Sequence, residues 1–341
     1  MTQMMTAVVF TAIDAVEVRS VPVPTPGPGE LLIRVEAAGL CHTDLDILAG
    51  RYAAQFPRIP GHEFAGTVVD ADPALRHRRG ERVAVDPLIA CRECRNCRRG
   101  HSNLCERGEA YGAERDGGFA EYAVVLADNA VDAGTMPPGV AALAEPFGCV
   151  VNALDRADVP LGSAGLIIGA GPMGMILAIA LRGRGIDDVT VADRVPERLA
   201  RARRFGAART VHVETTLGDT LPGEEFDLII DATGRPGVVQ EAVALLADGG
   251  TLVPFGVCPP GSELTVDPFE IYRRQLRIIG SFSLDRGIPA ALRALQQSPY
   301  PLDELITTRF SLGDGTTALA AVGGADTVKV QFDPTLSAAQ R

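Results

Sequence analysis

Residues 165–174 read GLIIGAGPMG, and residues 189–193 read VTVAD. In the first run an apolar strand breaks at Gly169, Gly171 and Gly174, in G-x-G-x-x-G spacing, and passes into the helical MILAIALRGRG. A strand, a glycine turn and a helix in that order suit a dinucleotide. The first two glycines allow a tight turn and close approach of the pyrophosphate, the third lets helix and strand pack, and the helix N-terminus favours the phosphates. Pro172 and Met173 lie within the same loop. Asp193 closes VTVAD nineteen residues after Gly174, where a carboxylate would accept hydrogen bonds from the adenosine ribose hydroxyls. Arg194 follows and would attract a 2′-phosphate, but Asp193 would repel it, so NAD is expected over NADP.

Working outward, FDLIIDATG, TLVPFGV and LRIIGSF read as further strands, with helices over Arg194 to Phe205 and about Val238 to Leu246. Strands alternating with helices predict a parallel doubly wound sheet over residues 152–285. Before it, residues 1–151 carry short β-rich runs (TAVVF, LLIRVEAAG, GTVVDAD, ERVAV, EYAVV) separated by Gly and Pro, which predicts an irregular β unit with long loops. Residues 286–341 hold the helical AALRALQQS, the polar ITTRFSLGDG and the terminal TVKVQF. They are too few to fold alone and are expected to complete the first unit. The tail Ser337 to Arg341 is expected to fray.

A chain of 341 residues is long enough for two cores. Its 46% hydrophobic and 22% charged residues are ordinary for a folded protein. A formal net charge of -11 opposes a nucleic-acid partner, because phosphate binding needs clustered Lys and Arg. No signal-peptide pattern and no run of about 18 apolar residues occurs, so a membrane partner is not expected and a cytoplasmic location is.

Four of the seven cysteines crowd into CRECRNCRRGHSNLC, where Cys91, Cys94, Cys97 and Cys105 stand as C-x2-C-x2-C-x7-C. That spacing lets one lobe, about residues 88–108, wrap a tetrahedral zinc with every position filled. Such a zinc is structural, its negative charge eased by Arg92, Arg95, Arg98 and Arg99. Scattered thiols or an iron-sulfur cluster are the competing readings.

A second constellation offers thiolate, imidazole and carboxylate: Cys41 in GLCHTDLD, and His62 and Glu63 in IPGHEFAG. Glu145, in LAEPFG, can supply another carboxylate. Zinc with an exchangeable position would bind a substrate oxygen and lower the pKa of its hydroxyl. Thr43 is placed to receive the alcohol proton, and Asp44 to orient His62. Singly, each residue has a bland reading: a buried thiol, a hydrogen-bonded loop histidine, a helix-capping glutamate.

With GHE, the four spaced cysteines, EP and GAGPMG in this order, the chain resembles the zinc-containing medium-chain dehydrogenase/reductase superfamily, its polyol and threonine dehydrogenase branch in particular. The resemblance implies a GroES-like catalytic domain and a Rossmann domain, one catalytic and one structural zinc, and a homodimer or homotetramer. By motif matching it puts Cys41, His62, Glu63 and Glu145 at catalytic-zinc positions, the two carboxylates exchanging with water or substrate. Thr43 matches the proton-relay hydroxyl, and Asp46 stands where relatives often place a relay histidine. His42 matches a residue near the cofactor phosphates, and Lys329 is another candidate for them. Nicotinamide contacts are implied near Phe255 to Val257 and Ser281 to Ser283, with Thr233, Val257 and Ser281 as cofactor-site residues.

The expected activity is hydride transfer between a polar secondary alcohol, of polyol, cyclitol or sugar type, or its ketone, and NAD(H). The competing readings are a threonine-type 2-amino-3-hydroxy acid dehydrogenase, a metal-independent quinone or enoyl reductase on the same scaffold, and a non-catalytic NAD-sensing protein that binds a partner through its zinc lobe.

Overall fold

The structure, a computed structural model, describes residues 3–324 and 326–336. The tail Ser337 to Arg341, for which fraying is expected, lies outside the described residues. The chain divides into two units: Met1–Gly148 with Leu284–Gln297 and Leu302–Arg341, and Cys149–Ser283 with Ser298–Pro301. The division falls three residues before the 151/152 boundary read from the sequence and two before 285/286. The short segment 298–301 goes with the second unit, where Tyr300 packs beside Gly206.

The first unit is built on a seven-stranded sheet. Its order is Ile306–Phe310, Lys329–Phe332, Glu30–Gly39, Glu63–Ala71, Arg82–Val85 and Ala130–Asp132, with Tyr122–Leu126 also paired to Glu30–Gly39. Alternation in ELLIRVEAAG buries Leu31, Ile33 and Val35 and turns Arg34 out, which fixes the register of this long central strand. Phe10, Phe64, Phe119 and Phe332 fill the core, Phe119 meeting Phe332 edge to face at 4.8 Å between ring centroids. The return segment enters this sheet as two strands, Ile306–Phe310 and Lys329–Phe332, which pair in parallel. Its helix Ile288–Gln297 buries Ile288, Ala291, Leu292 and Leu295 at helical spacing.

In the second unit six parallel strands run in the order Arg209–His212, Val189–Asp193, Gly165–Ile168, Phe226–Asp231, Leu246–Pro254, Arg277–Ile278. Counted along the chain this is 3-2-1-4-5-6, the doubly wound order of dinucleotide-binding sheets. Gly165–Ile168 is buried along its whole length, as a central parallel strand covered on both faces must be. Of LRIIGSF only Arg277–Ile278 pairs, so this edge strand is shorter than its apolar run suggests. No helix among the described residues is long and apolar enough to cross a membrane.

Candidate functional site

The candidate metal centre of the first unit starts at the end of strand Glu30–Gly39. There Cys41, in extended backbone, precedes the short helix His42–Leu48. Asp44 closes the helix start: its Oδ2 accepts the Cys41 amide at 2.8 Å, so the thiol is held by the helix it begins. Asp44 is fully buried, and its Oδ1 lies 3.4 Å from Nδ1 of His62. The carboxylate thus stands beside one ring nitrogen, where a residue expected to orient His62 would be, and leaves Nε2 available to an ion.

The turn Gly61 carries His62 into place. Its φ of 94° needs glycine, and a Cβ there would lie 2.2 Å from the Phe119 ring. The segments 59–61 and 117–119 are zipped together by backbone bonds from Gly117 to Ile59, Gly118 to Gly61 and Phe119 to Pro60. Glu63 opens the next strand, 1% exposed.

Ligand atoms of Cys41, His62 and Glu63 all lie within 4.8 Å of one another, the span of one ion. Burial works against charge on His62, yet Asp44 and Cys41 outweigh it and hold the imidazole pKa well above its ordinary value. The site's field therefore favours a cation, which, with a thiolate, imidazole and carboxylate donor set, fits zinc.

The structure places the other candidates differently. Thr43 is in the group: its Oγ1 lies 3.7 Å from the Cys41 sulfur. Glu145 is 6% exposed in the first turn of helix Ala144–Ala157 and interacts electrostatically with Lys329, but lies outside the three-residue cluster. Asp46 points its carboxylate at Arg51, at 2.8 Å, in a half-exposed ion pair, so the structure does not bring it to Thr43. His42 stays exposed, with Gly323 beside its ring. Lys329 is buried and bonded to Glu63 at 2.6 Å, which corrects the expectation that it reaches for phosphates: its ammonium is already engaged.

The cysteine lobe closes as the spacing predicts. All four sulfurs lie within 4.8 Å, with Cys91 to Cys97 and Cys94 to Cys105 at 4.0 Å. Disulfides need about 2.05 Å, whereas a tetrahedron with metal-sulfur bonds of about 2.3 Å has edges of about 3.8 Å. Amides of Cys94, Cys97 and Cys91 point at the sulfurs of Cys91, Cys94 and Cys105, which stabilises thiolates. Of the four arginines expected to ease its charge, Arg92 pairs with Asp128; Arg107, not among the four, reaches Cys91 and Glu93.

In the second unit, parallel strands bring the dinucleotide candidates to one edge. Gly169, Asp193, Thr233, Val257 and Ser281 stand at, or within three residues after, the C-terminal ends of five strands of one sheet. Gly171 precedes helix Pro172–Gly183, and among the described residues no atom lies within 4 Å of where its Cβ would be, leaving room for a phosphate. At Gly174 a Cβ would lie 1.8 Å from the Gly169 carbonyl oxygen, so helix and turn can touch only through glycine. The Asp193 carboxylate accepts the Ala170 amide at 2.6 Å and the Val195 amide at 2.8 Å, tying its strand end to the loop. Arg194 is exposed.

One organiser of this edge escaped the sequence reading. Asp231, fully buried at the end of Phe226–Asp231, accepts the Thr233 hydroxyl and the amides of Thr233 and Gly234 with its side chain. Its carbonyl accepts the amides of Phe255 and Gly256. It thus holds both the 232–234 and 255–257 loops, and Thr233 serves as its partner. Asn152 likewise pins the third loop through the carbonyls of Phe282 and Ser283 and the Ser281 hydroxyl. An acidic residue closing an apolar strand before A-T-G was the available signal.

The chain is similar to known proteins over most of its length. Residues 27–135 match the alcohol dehydrogenase GroES-like domain and residues 172–297 the zinc-binding dehydrogenase family. A D-altritol 5-dehydrogenase of Agrobacterium fabrum is 44% identical over 91% of this chain and 94% of its own. A zinc-binding dehydrogenase of Sinorhizobium meliloti 1021, solved with NADP, superposes with a TM-score of 0.92 at 33% identity, over 97% of this chain and all of the other. An alcohol dehydrogenase of Escherichia coli CFT073, solved with NADH, gives 0.90 at 30% identity, over 97% of this chain and 99% of the other.

Proposed function

The chain belongs to the zinc-containing medium-chain dehydrogenase/reductase superfamily, in its polyol dehydrogenase branch, and from that premise we propose that it oxidises a secondary hydroxyl of a straight-chain polyol, of the altritol kind, with NAD as hydride acceptor. The observation that carries the reading is the cluster of half-buried Cys41 and His62 with buried Glu63, whose ligand atoms surround one ion-sized space.

These three residues would hold a catalytic zinc and the four lobe cysteines a structural one, two ions per chain. When bound, the catalytic ion supplies Lewis acidity that lowers the pKa of the alcohol, so that the carbinol hydrogen can leave as hydride. Asp44 fixes His62 in the tautomer that presents Nε2. Thr43 receives the alcohol proton at Oγ1. The glycine loop seats the pyrophosphate, and Asp193 takes the ribose hydroxyls, which supports NAD over NADP. Glu145 is the reserve carboxylate of the metal centre.

We also propose a homo-oligomer in the cytoplasm. The exposed Phe269, Tyr272, Ile278 and Phe282 beside the edge strand support assembly, and clustered thiols suit a reducing compartment. Initial rates on D-altritol, other straight-chain polyols and L-threonine, each with NAD and NADP, test the activity. Polyol turnover with NAD is expected; turnover of L-threonine alone would overturn the reading.

A further inference from the structure

Among the 32 lysines and arginines of the sequence, Lys329 is the single lysine. Everywhere else the chain uses arginine, and this exception is 4% exposed, on the strand Lys329–Phe332, with its ammonium on both oxygens of Glu63 at 2.6 and 2.5 Å. Sheet order explains the reach. Strand Glu30–Gly39 lies between the strands of Lys329 and Glu63, and its last residue, Gly39, pairs with Gln331 on one side and Glu63 on the other. A Cβ at Gly39 would stand 2.2 Å from Glu63 Oε2 and 3.0 Å from Lys329 Cε. The side chain therefore crosses the middle strand over a residue without a side chain. A thin alkyl stem ending in a compact ammonium fits that passage; a planar guanidinium does not.

Glu63 thus faces two cations, the Lys329 ammonium and whatever ion Cys41 and His62 hold. We propose that Lys329 is a positioning residue that keeps Glu63 from becoming a permanent ligand of that ion, so that one coordination position stays exchangeable for substrate. This rests on the metal centre of the proposed function. The charges support it. Cys41, Asp44, Glu63 and Glu145 bring four anionic groups into the region, and Lys329 interacts with three of them, Glu63, Cys41 and Glu145. Among the described residues no other cationic side chain is paired with the buried Glu63, so with Lys329 gone the ion is left to neutralise it, and a carboxylate with no competing partner binds a metal firmly. With Glu63 fixed as the third ligand, Glu145 can take the fourth position, and a site closed in that way retains its ion and loses its exchangeable position.

The test is zinc release to a chelator from purified holoenzyme, comparing wild type, Lys329→Met and Lys329→Met/Glu63→Gln. The phase missing from a Cys41→Ser variant identifies the ion in question. Lys329→Met is expected to slow that phase by at least about tenfold, the scale of effects from residues that bear on metal ligands, with kcat reduced, and Glu63→Gln to abolish the slowing. Release as fast as wild type or faster would show a merely structural lysine and overturn the inference. Should Lys329→Met fail to fold, the wild type gives a second readout, since lysine labelling yields one side-chain NMR signal. Removing the Cys41–His62 zinc is expected to move its ε-methylene resonance; an unmoved signal would overturn the inference. A wild type that binds one zinc only would refute the proposed function itself, whereas two zincs without slowing refute the inference alone.

Discussion

Replacing Asp86 by asparagine should make the first unit more stable at neutral pH. Burial lifts the Asp86 carboxyl from 3.8 to about 6, with the Leu88 amide and Arg286 pulling it down and Asp285 pushing it up. Because the folded pKa lies above the unfolded one, the folded state holds the proton longer. The group costs nothing below pH 4, an increasing amount between pH 4 and 6, and a constant amount above. At about 1.36 kcal/mol per pKa unit the full cost at pH 7 is about 3 kcal/mol. Asparagine keeps the acceptor for the Leu88 amide, now at 3.0 Å, and its new amide hydrogens face a cavity of about 890 Å³ that also borders Ser102, Asn129 and Arg286, so water can satisfy them. Allowing about 1 kcal/mol for imperfect hydration leaves a gain of about 2 kcal/mol, or about 4–8 °C in Tm. Thermal unfolding of both proteins from pH 5 to 8 with zinc present reads it. The difference should grow from pH 5 to 6.5 and level off above 7. A difference independent of pH, or a less stable variant, would refute the argument from burial.

Asp44→Asn removes the carboxylate behind His62 and should weaken the Cys41–His62 zinc by about 10–100-fold while the lobe zinc stays, read by metal analysis after dialysis. Gly174→Ala puts a methyl 1.8 Å from the Gly169 carbonyl, so NAD binding should be lost in a fluorescence titration with both zincs retained. In Asp231→Asn an amide replaces a carboxylate that accepts three donors, so KM for NAD should rise by about tenfold and unfolding free energy fall by about 1–3 kcal/mol; an unchanged KM would show that Asp231 does not set the cofactor loops.

What the sequence made readable were features written within one segment. GLIIGAGPMG and VTVAD carry their strand ends and glycine constraints locally, and the four cysteines lie within fifteen residues, so both sites follow from spacing. Cys41 and His62 sit on separate loops, yet a thiolate and an imidazole are rare enough residue types to stand out. What stayed hidden depends on distant pairing. Lys329 and Glu63 are 266 positions apart, and only the strand order that inserts Glu30–Gly39 between them shows that the lysine is engaged. Asp46 is engaged for the opposite reason, a local one: Arg51, five residues further on, holds its carboxylate. Asp231 looks like any strand-closing acid until its five hydrogen bonds are counted. Arg107, rather than the nearer Arg92, turns to Cys91 because the lobe folds back on itself between Cys97 and Cys105.

Anomalous diffraction at the zinc edge, from crystals grown without added chelator, tests the central claim most directly. Two peaks per chain are expected, one inside the four cysteines and one touching Cys41, His62 and a carboxylate. A lobe peak alone, with none beside Cys41 and His62 in zinc-replete, active protein, would contradict the account.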